Sequence, residues 1–125
     1  MKEVMAIIRM NRMNETKIAL ADAGFTSMTA TGHVLGRGKG IVDHGLLKAA
    51  DEGNEYAAAM LGQAPQLRNK RMILMTVSDD QVKEAVDTIV KVNQSGKAGD
   101  GKVFVLPMAE SYRVRTGESG DDILQ

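Results

Sequence analysis

Lys70-Arg-Met-Ile-Leu-Met-Thr-Val77, running directly into Ser78-Asp-Asp-Gln81 and then Val82-Lys-Glu-Ala-Val-Asp-Thr-Ile-Val-Lys-Val-Asn93, is the stretch that decides the fold. The first eight residues are apolar on both faces, as expected of an interior strand. Ser78 and Gln81 have the spacing of a capping box, which predicts a helix start. Val82, Ala85, Val86 and Ile89 then recur at i, i+3, i+4 and i+7, which makes the helix amphipathic as far as about Asn93. Beyond a glycine-rich turn, Lys102 to Leu106 (KVFVL) reads as another strand. The same order lies upstream. Residues 3–9 form a short apolar strand, Asn14 is placed to N-cap a helix that carries Met13, Leu20 and Ala23 and stops at Gly24, and residues 26–35 are rich in Thr and Val.

The order β-α-β, a long insert, β-α-β predicts an α+β fold of the ferredoxin-like split-βαβ kind (βαββαβ), with two helices on one face of an antiparallel sheet. Strands 1 and 3 are apolar on both sides, so the sheet's second face is expected to be covered by other subunits. The chain of 125 residues has room for a single domain over 1–125. Residues 36–69, between strands 2 and 3, make a connection too long to be mere wiring. They open on Gly36-Arg-Gly-Lys-Gly40 and continue through the helix-prone LLKAADEG and EYAAAMLG, and we read them as a mobile arm that forms helical turns on docking.

Composition narrows the function. Sixteen Lys and Arg balance sixteen Asp and Glu, so net charge points to no polyanionic partner, and no nucleic-acid role is expected. Cysteine is absent, which removes disulfides, thiolate metal sites and cysteine nucleophiles. His33 and His44 are too isolated for a zinc site, and no metal site is expected. No apolar run reaches the roughly 18 to 20 residues of a membrane span, and the N-terminus lacks the pattern of a signal peptide. These features predict a cytoplasmic protein with no membrane insertion. Aromatics are scarce, so the core is aliphatic, with the nine methionines as adaptable filling.

The chemistry concentrates where the glycines do. Gln94-Ser-Gly-Lys-Ala-Gly-Asp-Gly-Lys102 can present bare amides and lysine charge to an anion. It nearly matches a P-loop but fails at Val103, where a Mg²⁺-binding hydroxyl is required, and it leads into a strand instead of a helix. The alternative is a plain glycine-rich turn. Further on, Arg113-Val-Arg115 sets two guanidinium groups on one face if the segment is extended, a pattern suited to phosphate. No nucleophile or base set accompanies them, so no catalytic residue is expected and the chain is read as a binding module rather than an enzyme.

Together these segments resemble a known family. SGKAGDGKVFVLPM followed by YRVRTGESG is very like TGKxGDGKIFV…RIRTGE of the PII nitrogen-regulatory proteins. MKEVMAIIRMNRMNETKIALADAGFTSMTAT is similar to their MKxIxAIIxPxKxxxVxxALxxxGxxGMTVT, and Gly36-Arg37 resembles their GFGR. The resemblance covers residues 1–37 and 70–125, with about one residue lost before Gly36.

It implies a homotrimer, with an enlarged T-loop at 36–69, a B-loop at 95–102 and a C-terminal loop and tail at 109–125. ATP or ADP would lie between subunits, flanked by Thr29, Gly36 and Arg37. Gly99, Asp100, Gly101 and Lys102 would wrap its phosphates, and Arg113 and Arg115 would reach it from the adjacent chain. Lys70, with Gly36, Arg37 and Lys39, would take 2-oxoglutarate, and Mg²⁺ is a further candidate ligand. One departure bears on that second site: the family's GRQKG has a metal-holding Gln where Gly38 or Lys39 stands here. Gly53-Asn-Glu-Tyr56 faintly echoes a motif uridylylated on tyrosine, which makes Tyr56 a candidate modification site. The lost Gln and the enlarged loop look like the branch associated with nitrogen fixation, which implies regulation of dinitrogenase through the long loop, as a homotrimer or mixed with a paralogue. The alternative is a regulator of an ammonium transporter or of another nitrogen-metabolism enzyme.

Overall fold

The computed structural model describes residues 1–37, 48–49, 51–55 and 66–125. Lys39 and Tyr56 lie outside the described residues, as does the alternative position Gly38. The elements run β1 (Lys2–Arg9), a 3₁₀ turn (Met10–Arg12), α1 (Met13–Asp22), β2 (Thr29–Ala30), β3 (Val34–Gly36), β4 (Arg68–Val77), a 3₁₀ turn (Asp79–Gln81), α2 (Val82–Asn93), β5 (Gly101–Pro107) and a last 3₁₀ turn (Asp121–Ile123). The sheet order is β2-β4-β1-β5, with β3 also on β4, and every pairing is antiparallel. This is the ferredoxin-like α+β arrangement that the strand and helix order predicts.

The sheet has two distinct faces because strand residues alternate. Val4, Ala6 and Ile8 of β1 and Ile73, Met75 and Val77 of β4 point to one side and are almost fully buried. Leu20 and Met13 of α1, Ala85 and Ile89 of α2, and Phe25 close over them. A fully buried aliphatic side chain contributes about 1.5–3 kcal/mol, so this layer holds the helices on the sheet. The opposite face, with Met5, Ile7, Met72, Leu74, Phe104 and Leu106 at paired positions, carries no element of the described chain and is partly or fully exposed.

Three local expectations are corrected. Asn14 does not cap α1. The helix follows directly on the 3₁₀ turn, Arg12 holds the cap position without a side-chain bond, and Thr16 instead donates its hydroxyl to the Arg12 carbonyl at 2.7 Å. The capping box at Ser78 is not closed either. The Ser78 hydroxyl turns to Asp80 (2.6 Å) and to the Gln81 side-chain oxygen (2.9 Å), because a 3₁₀ turn intervenes and competes for it. The strand expected over 26–35 is divided. Ala30 pairs with Ile73 and Val34 with Lys70, so residues 31–33 face only 71–72 across a bulge. Thr31 bridges the gap, with its amide donating to Met72 O (2.9 Å) and its carbonyl accepting from Arg71 Nε (2.7 Å).

The helix stop at Gly24 holds. With φ of 94°, Gly24 donates to Ala21 O and Phe25 to Leu20 O, the paired bonds of a Schellman motif.

Candidate anion-binding site at the β1–β4 edge

The register pairs Arg9 with Lys70 and Ile7 with Lys102, all on the uncovered face at one end of the sheet. β3 brings Gly36 there as well, through Val34 opposite Lys70 and Gly36 opposite Arg68. Onto this end folds the loop between α2 and β5. Like charges directly opposite one another in a sheet repel, and the loop supplies the acceptors that relieve Arg9 and Lys70. Arg9 Nη2 donates to Ala98 O (2.8 Å) and to Asp100 Oδ1 (3.2 Å), while Lys70 Nζ donates to Gly99 O (2.7 Å).

Asp100 is the hub of the loop. Its carboxylate accepts from the amides of Ser95 (2.8 Å) and Gly96 (3.0 Å) and from the Ser95 hydroxyl, besides Arg9. The Ser95 hydroxyl and amide, with help from Arg9 and the Gly96 amide, hold this carboxyl well below the usual carboxylate range. Lys70 is shifted the other way from a comfortable ammonium. Partial burial lowers its pKa, the Arg9 and Arg68 charges lower it further, and Asp100 only partly offsets them.

Glycine is required where the loop enters β5. Gly101 has φ of 113°, and a Cβ there would lie 2.0 Å from the Ile7 carbonyl oxygen. Gly99 has φ of 94° and sits directly over the two cations, its notional Cβ 3.4 Å from Arg9 Nη2 and 3.6 Å from Lys70 Nζ. Residues 98–99 form a turn, and the amides of Ala98 and Gly99 donate no hydrogen bond among the described residues. Two exposed amides, of Ala98 and Gly99, beside Lys70 and near Lys102, in a loop that reverses its hand at glycine, have the donor set of an anion cradle. The described residues contain no cluster of three acidic, histidine or cysteine groups able to hold a metal.

Not all expected site residues meet here. Gly36, Arg37, Lys70, Gly99, Asp100, Gly101 and Lys102 belong to this end. Thr29, exposed and opposite Leu74, lies further along β4 and lines a cleft of about 320 Å³ with Glu3, Ser111, Ile123 and Leu124. Arg113 and Arg115 are at that far end too. β5 starts opposite Ile8 and finishes opposite Lys2, roughly 20 Å away, and Met108 then bonds back to Met1. The tail there is not extended. Residues 114–116 form a turn closed by Gly117 N to Arg113 O (2.7 Å) and Arg113 N to Glu118 O (2.7 Å), so Arg113 and Arg115 do not share a strand face. Glycine at 117 (φ 74°) favours the turn over an extended segment.

Arg9 is the residue that sequence reasoning missed. It reads as the last residue of an apolar strand, and only the pairing with β4 places it under the loop.

A ferredoxin-like sheet with a cationic, amide-bearing loop at one end defines a protein able to hold an anion, and the fold by itself does not fix what it does with it. The family comparison is specific. Residues 1–118 match the model of "Nitrogen regulatory protein P-II", and the chain belongs to that family. It is 42% identical over 126 residues to "Nitrogen fixation nifHD region GlnB-like protein 2" of Methanothermobacter marburgensis, covering 99% of this chain and all of that relative. The protein of the same name from Methanococcus maripaludis is 42% identical over 123 residues, 97% of this chain and 98% of that one. Among solved structures, Arabidopsis thaliana PII bound to citrate superposes with a TM-score of 0.73 at 28% identity, covering 99% of this chain and 89% of that one.

Proposed function

We propose that this protein is a PII-type signal transducer that binds ATP or ADP and 2-oxoglutarate and regulates nitrogen fixation by docking its long loop, residues 36–69, on dinitrogenase. The observation that carries the reading is the juxtaposition of Lys70, Lys102 and the undonated amides of Ala98 and Gly99 in the 95–102 loop. A nucleotide's phosphates would be held by Gly99, Asp100, Gly101 and Lys102, and a dicarboxylate by Lys70 with Gly36, Arg37 and Lys39. The related Arabidopsis protein binds citrate, which supports a polycarboxylate ligand for this chain as well.

Within one chain, Arg113 and Arg115 lie a sheet's length from the loop, and Thr29, opposite Leu74, lies about half as far along. They complete the nucleotide site only if a neighbouring subunit brings its tail end to this subunit's loop end. A trimer packed through the uncovered apolar face would do so, as a homotrimer or with a paralogue. The relatives' association with the nifHD region supports nitrogenase control. No helix among the described residues is long and apolar enough to cross a membrane, in keeping with a cytoplasmic regulator. Tyr56 is a candidate for modification within the long loop.

Signalling of this kind requires only that ligands bind two loop conformations unequally. Calorimetry with ADP tests the site: Arg113→Ala should weaken binding several-fold, and unchanged affinity would refute the shared-site assignment. Pull-down from nitrogen-starved cells tests the output. Capture of dinitrogenase that is released by MgATP plus 2-oxoglutarate supports the proposal, whereas capture of an ammonium transporter in the membrane fraction would replace it.

A further inference from the structure

We propose that Arg9 is a positioning residue for the 95–102 loop, acting through Asp100 to hold the loop's free amides in place before any ligand arrives. The inference rests on the reading of that loop as an anion cradle and adds a residue to it. Arg9 sits at the end of β1, on the uncovered face, directly opposite Lys70. One of its terminal nitrogens meets both the Ala98 carbonyl and the Asp100 carboxylate, 89 and 91 residues away in sequence. Asp100 passes this anchorage on, because the same carboxylate gathers the Ser95 and Gly96 amides. The loop is thereby fixed at both ends of its arc, 95–96 and 98–100, by one guanidinium–carboxylate pair.

Charge distinguishes Arg9 from its neighbour. Its cation is paired directly with Asp100 at 3.2 Å, whereas Lys70 bonds a neutral carbonyl and feels the Asp100 charge only at longer range, outweighed by Arg9 and Arg68. An incoming anion therefore gains more from Lys70 than from Arg9, and Arg9 acts by geometry. Arginine suits the role because the two N–H bonds of that one nitrogen lie fixed in the guanidinium plane, whereas a lysine ammonium rotates freely.

Two measurements on the full chain separate this role from direct ligand contact and from a general effect on stability. In the ligand-free protein, Arg9→Gln and Asp100→Asn should each speed amide exchange at Ser95 and Gly96 about tenfold while the β1 and β4 amides stay protected. Arg9→Lys should fall between. In ADP titrations, Arg9→Gln, Asp100→Asn and the double variant should weaken binding by similar factors, since they break one unit. Salt sensitivity of ADP binding should stay as in the parent for Arg9→Gln and decrease for Lys102→Gln. Unchanged exchange in Arg9→Gln, additive losses in the double variant, or a reduced salt sensitivity in Arg9→Gln would each overturn the proposal. If the parent chain fails to bind ADP, the nucleotide reading fails, while the exchange data still decide whether Arg9 orders the loop.

Discussion

Lys70 Nζ donates a 2.7 Å hydrogen bond to the carbonyl oxygen of Gly99, joining the strand that leaves the long insert to the glycine loop 29 residues later. The bond is made by an ammonium that the fold does not favour: burial and the charges of Arg9 and Arg68 lower its pKa. Lys70→Met should therefore leave the thermal midpoint at neutral pH unchanged or raised, while 2-oxoglutarate binding in the presence of MgATP is lost. The sign of the pH effect follows from linkage. The folded chain binds fewer protons than the unfolded one between Lys70's lowered value and lysine's ordinary one, so this group's contribution to stability rises with pH across that alkaline window. Denaturant titrations from neutral to alkaline pH should show that rise in the parent and its absence in Lys70→Met.

Asp100 titrates in the opposite sense. Its carboxyl is held well below the usual range by Ser95, Arg9 and Gly96, so the stability it contributes is present above the ordinary carboxylate value and disappears as pH falls through the folded value. Asp100→Asn should be less stable than the parent at pH 7, and the gap should narrow on acidification. A gap that stays constant across the acid limb of a denaturant series would contradict the assignment.

Two glycines with similar backbone angles should respond very differently to alanine. Gly24 (φ 94°) has nothing within 4 Å of its notional Cβ, so only the left-handed conformation is penalised, at about 1–2 kcal/mol. At Gly101 (φ 113°) the Cβ would collide with the Ile7 carbonyl oxygen. Relief there means parting β5 from β1, which should cost about 3 kcal/mol or more. Urea midpoints of the two variants test the ranking.

Phe104 stands on the uncovered sheet face, 45% exposed, opposite Met5. Phe104→Asp should barely change the stability of the individual chain, since surface substitutions stay within about 0.5 kcal/mol. It should dissociate the proposed trimer, because an unpaired carboxylate would be buried at the seam. Sedimentation velocity reads this directly; a variant that keeps the parent's mass would argue that this face is not the interface.

Much of the fold is legible in particular residues. The run Met72 to Val77 could only be an interior strand, and Val82, Ala85, Val86 and Ile89 could only be one helical stripe, because burial imposes periods of 2 and 3.6 on the chain. Gly24 was legible as a stop because few other residues adopt its backbone angle. The candidate site was half legible. Gly99, Asp100, Gly101 and Lys102 are contiguous, so local sequence displays their chemistry. Ser78 and Asn14 misled because a capping hydroxyl or amide is a local option that an adjoining 3₁₀ turn can displace. The relation of Arg113 to Arg115 was not legible, because their spacing places them on one face only in an extended segment and the chain there closes a turn at Gly117.

Sequence alone determined the alternation that makes each strand and helix, and the glycines and lysines of the loop, since both depend on neighbours along the chain. Only the tertiary structure decided that Arg9 lies beneath Asp100, that Lys70 reaches Gly99, and that Thr29 shares a cleft with the tail, away from the loop. Those relationships are set by strand register, and a register joins residues as far apart as Lys2 and Pro107 whose contact leaves no local periodicity to read.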